Sequence, residues 1–234
     1  MRAFETYDAS YNAEHQSWYA NPNTPLFHWI DEHLPADCRA VLDVGCGNGD
    51  FLKYLQQRRP GCRLVGIDLS TSAPLPGIER LQGDIATQAI PGGFDVVTSL
   101  ASIEHVADVL AFARRLATLC APGGRVVVMT LNANSLLYVA ARTGRRVGVE
   151  IASTRLYSRH HLQHFTPSSL RRLLEAVGLV VTVTHHHNVP LAALDLPGGW
   201  AIHTLLKAAV AMCFGLGRLT NRCYLQTVVC HRGV

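Results

Sequence analysis

Three acids follow short apolar runs: Asp43 in Val41-Leu42-Asp43-Val44, Asp68 in Val65-Gly66-Ile67-Asp68, and Asp84 in Gln82-Gly83-Asp84-Ile85. Between the first two lies the turn Gly45-Cys46-Gly47-Asn48-Gly49. Glycines let a backbone approach a ligand closely, and a helix that starts beyond them offers unpaired N–H groups. A carboxylate at Asp43 suits a cationic amino group, held directly or through water. Asp68, with Leu69 beside it, suits the two hydroxyls of a ribose. Asp84 and Ile85 suit the reading and packing of an adenine. Nicotinamide-binding folds also use a glycine turn, but theirs is G-x-G-x-x-G, whereas this one is G-x-G-x-G with an acid two residues ahead. The plain alternative, strand-end acids that are merely solvated, accounts poorly for three of them at this spacing.

A second set of residues could move protons. Glu104-His105 is one group, and Arg159-His160-His161-Leu162-Gln163-His164-Phe165 is the other. Histidine titrates near neutral pH and can take a proton from a hydroxyl. His105 has an ordinary alternative use as a helix-start ring bonded to backbone, and for His161 the catalytic and structural uses stand level. His160 and His164 read as packing or surface residues. His185-His186-His187 resembles a metal tract, but neighbours on a strand face opposite sides and cannot all converge on one ion, so it reads as a strand end.

The elements that must position these residues alternate between β-branched runs and helical patterns, the mark of a parallel sheet with crossover helices. Strands are expected at Ala40–Val44, Arg63–Ile67, Phe94–Leu100, Arg125–Thr130, Leu179–Thr184 and Tyr224–Cys230. Val109, Leu110, Phe112, Ala113 and Leu116 recur at helical spacing. A helix is expected from Thr166 to Val177, capped by Thr166, opened by Pro167 and closed by Gly178. Between the second strand and Asp84 the prolines Pro74 and Pro76 leave no room for a full crossover helix, so a short loop is expected there.

Asp43-Val-Gly-Cys-Gly-Asn-Gly49, Asp68, Phe94-Asp-Val-Val-Thr-Ser99, Ile103-Glu-His-Val106 and Ala121-Pro-Gly-Gly124 resemble the ordered motifs of class I S-adenosylmethionine-dependent methyltransferases. The resemblance runs from about Trp18 to Val177. With Met129-Thr-Leu-Asn-Ala-Asn134 it is nearest to the ubiquinone-biosynthesis-like O-methyltransferases. It implies a Rossmann-like α/β fold whose seven-stranded sheet has the order 3-2-1-4-5-7-6, last strand antiparallel, with flanking helices and a helical lid. It also implies S-adenosyl-L-methionine as cofactor and Leu100 on its methionine side. Some enzymes of this kind bind a divalent cation through Glu-x-x-Glu-His and a later His. Here Glu104, His105 and His161 match, but Ala101 stands in place of the first Glu, so a cation is not the favoured expectation. The missing helix after Asp68 departs from the family pattern.

In such a sheet the acceptor lies over the carboxyl ends of the fourth and fifth strands. Cover can come from Tyr7–His28, Leu131–Phe165 and the long insertion 190–222. His161, His105 and Glu104 border that space and are the expected catalytic set, with O-methylation of a small metabolite, quinone precursor or sugar as the expected reaction. Methylation of nitrogen or carbon, or a silent cofactor-binding partner, remain as alternatives. Thr98-Ser-Leu-Ala-Ser-Ile103 does not resemble the Asn/Asp-Pro-Pro-Tyr signature of enzymes that methylate base amino groups. Arg142, Arg145, Arg146, Arg155 and Arg159 read as a solvated basic loop, with anion binding the alternative.

The chain has 234 residues and a net charge of +4. That length suits one domain, 1–234, with an N-terminal cap over 1–35. The scattered basic residues give no footprint for nucleic acid. The seven cysteines form no C-x-x-C pair, which points to reduced thiols in a cytoplasm. Met1–Asp8 has no apolar signal core. Ala201–Gly217 is apolar but lacks the basic belt of a membrane-surface helix, so a lid or dimer helix is expected, not membrane insertion, and a homodimer stays open.

Overall fold

The computed structural model describes residues 16–70, 73–157, 160–196 and 199–233. Seven strands form one sheet: β1 (Ala40–Val44), β2 (Arg63–Asp68), β3 (Glu79–Gln82), β4 (Phe94–Leu100), β5 (Cys120–Leu131), β6 (Leu179–His187) and β7 (Leu225–Arg232). Their order is β3-β2-β1-β4-β5-β7-β6. The first five pair in parallel, and β7 runs antiparallel to both β5 and β6. The expected order and the antiparallel last strand are both present.

Central strands of a covered parallel sheet must be apolar on both faces. Leu42, Val44, Val65, Ile67, Val97 and Val126 point to one face, and Val41, Leu64, Val96, Val127 and Met129 to the other. The first face packs against α4 (Val109–Leu119) and α7 (Pro167–Glu175). The second packs against α2 (Thr24–Glu32) and α3 (Asp50–Arg58), which follow the short α1 (Gln16–Ala20). Helix α7 is built as its sequence suggests: Thr166 and Ser169 form a reciprocal capping box, Pro167 opens the first turn, and Leu170 and Leu174 are fully buried.

The Asp68-to-Glu79 connection holds no helix among the described residues, as expected, but a strand the sequence does not announce follows it. Glu79-Arg80-Leu81-Gln82 is an edge strand with one neighbour, so it needs no apolar alternation. Strand β6 extends through all three histidines. His185 and His187 stack on one side at 5.1 Å, and His185 stacks on Trp29 of α2 at 4.5 Å. β5 begins five residues before its expected start, through a register shift opposite Phe94–Val96. After it come α5 (Leu136–Arg146) and α6 (Ile151–Leu156), and the insertion between β6 and β7 holds α8 (Trp200–Leu219).

Candidate cofactor and acceptor pocket

A cavity of about 550 Å³ opens above the carboxyl ends of β1, β2, β4 and β5. Its lining has two chemically distinct ends, one over β1 and β2 and one over β4 and β5. At one end stand Asp43, Gly45, Cys46, Gly47, Asn48, Asp68, Leu69, Asp84 and Ile85. At the other stand Glu104, His105 and His161, walled by apolar side chains from Leu131, Leu156, Leu206 and Val210; Leu100 lies between. Every residue expected at a ligand lines this cavity except Gly49.

The glycines divide by role. A side chain at Gly47, whose φ is +50°, would meet nothing nearer than the Tyr19 ring at 3.7 Å, so its openness faces the pocket. At Gly45 a Cβ would collide with the Ser102 hydroxyl, and at Gly49 with Leu75 at 2.5 Å. Those two glycines also let the turn pack closely against Ser102 and Leu75; Gly45 still lines the cavity, and Gly49 does not. Beyond the turn the backbone enters α3 with Gly49 as a left-handed N-cap, so the first N–H groups of that helix have no side-chain cap.

Asp43 is buried, and its Oδ1 accepts a hydrogen bond from Thr98 Oγ1 at 2.7 Å. Burial pushes its carboxyl up to about 7, helped by the charge of Asp68 and opposed by the Thr98 bond. A buried anion wants a cation, and the cavity is the side from which one could arrive. Asp68 Oδ2 accepts from the Gly47 N–H at 2.8 Å, and its Oδ1 accepts from the N–H and Oγ of Ser70. Asp84 Oδ1 accepts from the Ala86 N–H, and Asp84 lines the cavity beside buried Ile85. Arg115 of α4 secures this edge through the carbonyls of Ile85 and Gln88.

At the far end the chain leaves β4 through Ala101, a non-glycine residue at φ +57°. That conformation costs of order 1–3 kcal/mol and turns the backbone into the short helical turn Ile103–His105. Glu104 is buried; its Oε2 accepts from Thr130 Oγ1 at 2.8 Å. Burial raises its carboxyl and lowers the His161 imidazole, while the charge of Glu104 partly restores the latter. His161 Nδ1 donates to the Leu156 carbonyl at 3.1 Å, which leaves Nε2 as the ring's acceptor. The His105 ring lies 5.1 Å from that of His161 and donates from Nδ1 to the His160 carbonyl at 2.7 Å. His164 is held by the Tyr138 hydroxyl at 2.8 Å, and His160 is buried, so both pack as expected. Among the described residues no three His, Cys, Asp or Glu side chains are grouped to hold a metal ion.

The cover joins segments far apart in sequence. Trp18 and Tyr19 of α1 line the cavity. Their helix is tied to the insertion where the Ser17 N–H meets Asp195 at 3.3 Å and Asn21 Nδ2 meets the Ala192 carbonyl at 3.2 Å. The part of the expected cover before Gln16, and Arg159, lie outside the described residues. Arg142, Arg145, Arg146 and Arg155 are exposed, and of these Arg155 reaches the cavity. Thr98, Thr130 and Tyr19 were not singled out from sequence. The two threonines carry a usable signal, hydroxyls inside apolar strands that need partners; Tyr19 carries none.

The family model described as "Methyltransferase domain" matches residues 8–184. A ubiquinone biosynthesis O-methyltransferase of Stutzerimonas stutzeri is 34% identical over 66% of this chain and 70% of its own length. Among solved structures, an S-adenosylmethionine-dependent methyltransferase from Archaeoglobus fulgidus superposes with a TM-score of 0.63 at 15% identity, covering 96% of this chain and all of that one. The 1,6-didemethyltoxoflavin-N1-methyltransferase of Burkholderia thailandensis, solved with S-adenosylhomocysteine, gives 0.61 at 15% identity over 97% of this chain and 85% of its own. With the strand order and the acid-lined glycine turn, these matches establish that the chain belongs to the S-adenosylmethionine-dependent methyltransferases.

Proposed function

We propose that this methyltransferase places the methyl group on a hydroxyl of a small molecule, a metabolite, quinone precursor or sugar, with His161 taking the hydroxyl proton. The observation that carries the reading is the His161 ring itself. Its tautomer is set by the Leu156 carbonyl, its other nitrogen is an acceptor, and it lines the cavity beside buried Glu104. S-adenosylmethionine, when bound, supplies an electrophilic methyl, so the protein's work is alignment and proton removal. Asp43 would hold the cofactor's amino group, Asp68 the ribose, and Asp84 and Ile85 the adenine. Gly45 to Asn48 and Leu69 would form the wall, with Leu100 along the methionine side. Glu104 would orient the histidines, with His105 beside His161 over the acceptor. The name of the Stutzerimonas relative favours oxygen as the acceptor atom. The seven cysteines are all free thiols, which supports a reducing cytoplasm and one continuous domain without disulfide clips.

The test is turnover of cofactor to S-adenosylhomocysteine with a panel of catechols, sugars and amines, the product's methyl position being read by mass spectrometry. Hydroxyl acceptors should turn over, and turnover should survive EDTA, because Ala101 supplies no carboxylate and Glu104 Oε2 is engaged by Thr130. Methylation of amines alone would overturn the reading, and activity abolished by EDTA would reassign Glu104, His105 and His161 to a cation.

A further inference from the structure

Helix α8 carries three different faces. Phe214 and Gly217 are buried, and Leu206 and Val210 line the cavity, so one stripe is spent on closing the pocket. Thr204, Lys207 and Arg218 lie on a second, exposed face. The third face is Ile202, Leu205, Ala209, Met212, Leu216 and Leu219, all exposed, with the five large side chains 48% to 83% open to water. Apolar patches of this extent on a helix mark a contact surface.

The helix is 20 residues long, and an 18-residue stretch of it has a mean hydropathy of 1.4, enough by length and composition to cross a membrane. The topology forbids it. Strand β6 ends at His187, β7 begins at Leu225, and those two residues are paired neighbours in the sheet. The chain therefore leaves and returns at one point, and a single helix between cannot end on the far side of a bilayer.

The spacing selects the occupant. The six positions advance by 3, 4, 3, 4 and 3, a two-in-seven seam sustained from Ile202 to Leu219. That is the repeat of helices that pack side by side, whereas a helix lying in a lipid surface shows a wide apolar arc edged by basic residues. Ala201, Ala208 and Gly215, exposed and seven apart, run along one edge of the seam and let another backbone come close. No charged residue lies in the seam or on that edge, so nothing opposes an identical surface.

We propose that α8 is the dimerisation helix of this enzyme and that its seam packs against the same seam of a second copy about a two-fold axis. A self-complementary patch closes into a dimer without leaving a free face. Two such seams together remove on the order of 1,200 Å² from water, at the lower end of the range for stable interfaces. The opposite stripe of α8 forms the pocket wall, so dimerisation would also fix that wall.

Light scattering of the full chain at micromolar concentration should give twice the monomer mass. Leu205→Glu, and separately Ala209→Glu, should give folded monomers that keep the cofactor affinity, since neither position faces the core or the cavity, and their melting temperature should no longer rise with protein concentration as that of the wild type does. Lys207→Glu, on the polar face, should remain a dimer. A monomeric wild type, or a dimer unaffected by either seam variant, overturns the proposal. So does flotation of the wild type on anionic phosphatidylglycerol vesicles that Leu205→Glu abolishes, which would assign the seam to a lipid surface.

Discussion

The two ends of the cavity are built by different means. At the cofactor end, each group stands where a strand of the sheet ends, and its position follows from backbone register: Asp43 pairs with Gly66 and Thr98, Asp68 with Gln82. At the acceptor end, Glu104 hangs from a strained turn, His161 from the segment after α6, and the walls from α8 and the N-terminal helices. The first end is a by-product of the sheet and would be hard to change without unfolding it. The second is assembled from covers that can vary while the sheet stays. The shared fold of enzymes named for oxygen and for nitrogen methylation fits that division.

If the ends are separable, chemistry should be breakable without touching cofactor affinity. His161→Ala should lower kcat by about 100- to 10,000-fold, the usual worth of a positioned proton acceptor. Calorimetry should find cofactor affinity unchanged. The pH dependence has a definite sign: a base works unprotonated, and burial holds this imidazole below its ordinary 6.5. The rate should therefore rise with pH through a limb lying below 6.5 and be flat at neutral pH. A variant that loses cofactor affinity as steeply as kcat would show that the two ends are one unit.

The converse change acts on the sheet end. Asp68→Ala should weaken cofactor binding by about 2–3 kcal/mol, because charge-assisted bonds to a pair of hydroxyls are lost. Part of that loss comes through the glycine turn, since Asp68 also accepts from the Gly47 N–H. Asp68→Asn, which keeps an acceptor for that N–H, should recover some of it. Equal loss in both variants would assign the whole effect to the ligand, and wild-type affinity in both would remove Asp68 from the site.

The same division explains what could be foreseen. Strand-end acids and a glycine turn are local in sequence, so their candidate chemistry could be named before any coordinates, and the motifs they form carry the family resemblance that implied the observed sheet order. Edge strand β3 is not legible in the sequence, because a strand with one neighbour and no fully buried residue carries no apolar period. The packing contacts of Gly45 and Gly49, to Ser102 and Leu75, lie far along the chain and leave no trace beside the turn itself. The ties of Ser17 to Asp195 and of Asn21 to Ala192 span the length of the protein and leave no local trace. Helix α8 was legible as apolar; that one stripe faces the cavity and another faces solvent was not, because both consist of the same residue types.

The smallest expected effect is the most specific to the sheet end, because it follows from burial of Asp43 alone. Its carboxyl sits at about 7 instead of the ordinary 3.8, chiefly because burial disfavours the charged form. In the unliganded protein a raised acid keeps a proton that the unfolded chain has released. Its contribution to stability is therefore greatest at low pH and is lost as pH rises from about 4 toward 7. A cationic amino group favours the opposite, ionised form, so cofactor binding should expel that proton. Affinity should rise by up to about tenfold between pH 6 and the pH where Asp43 is ionised, one pKa unit corresponding to a factor of ten. It should fall again near pH 8, as the ligand's own α-amino group loses its charge. Calorimetry in two buffers of different ionisation heat should show release of nearly one proton at pH 6, falling to roughly a quarter from Asp43 near 7.5. Asp43→Asn should bind weakly with no acid limb, and its unliganded melting temperature should no longer decline across that window. Equal wild-type affinity at pH 6 and 7.5 would mean that Asp43 meets no cation, and the amino group would then have to be held by backbone carbonyls at the same strand end.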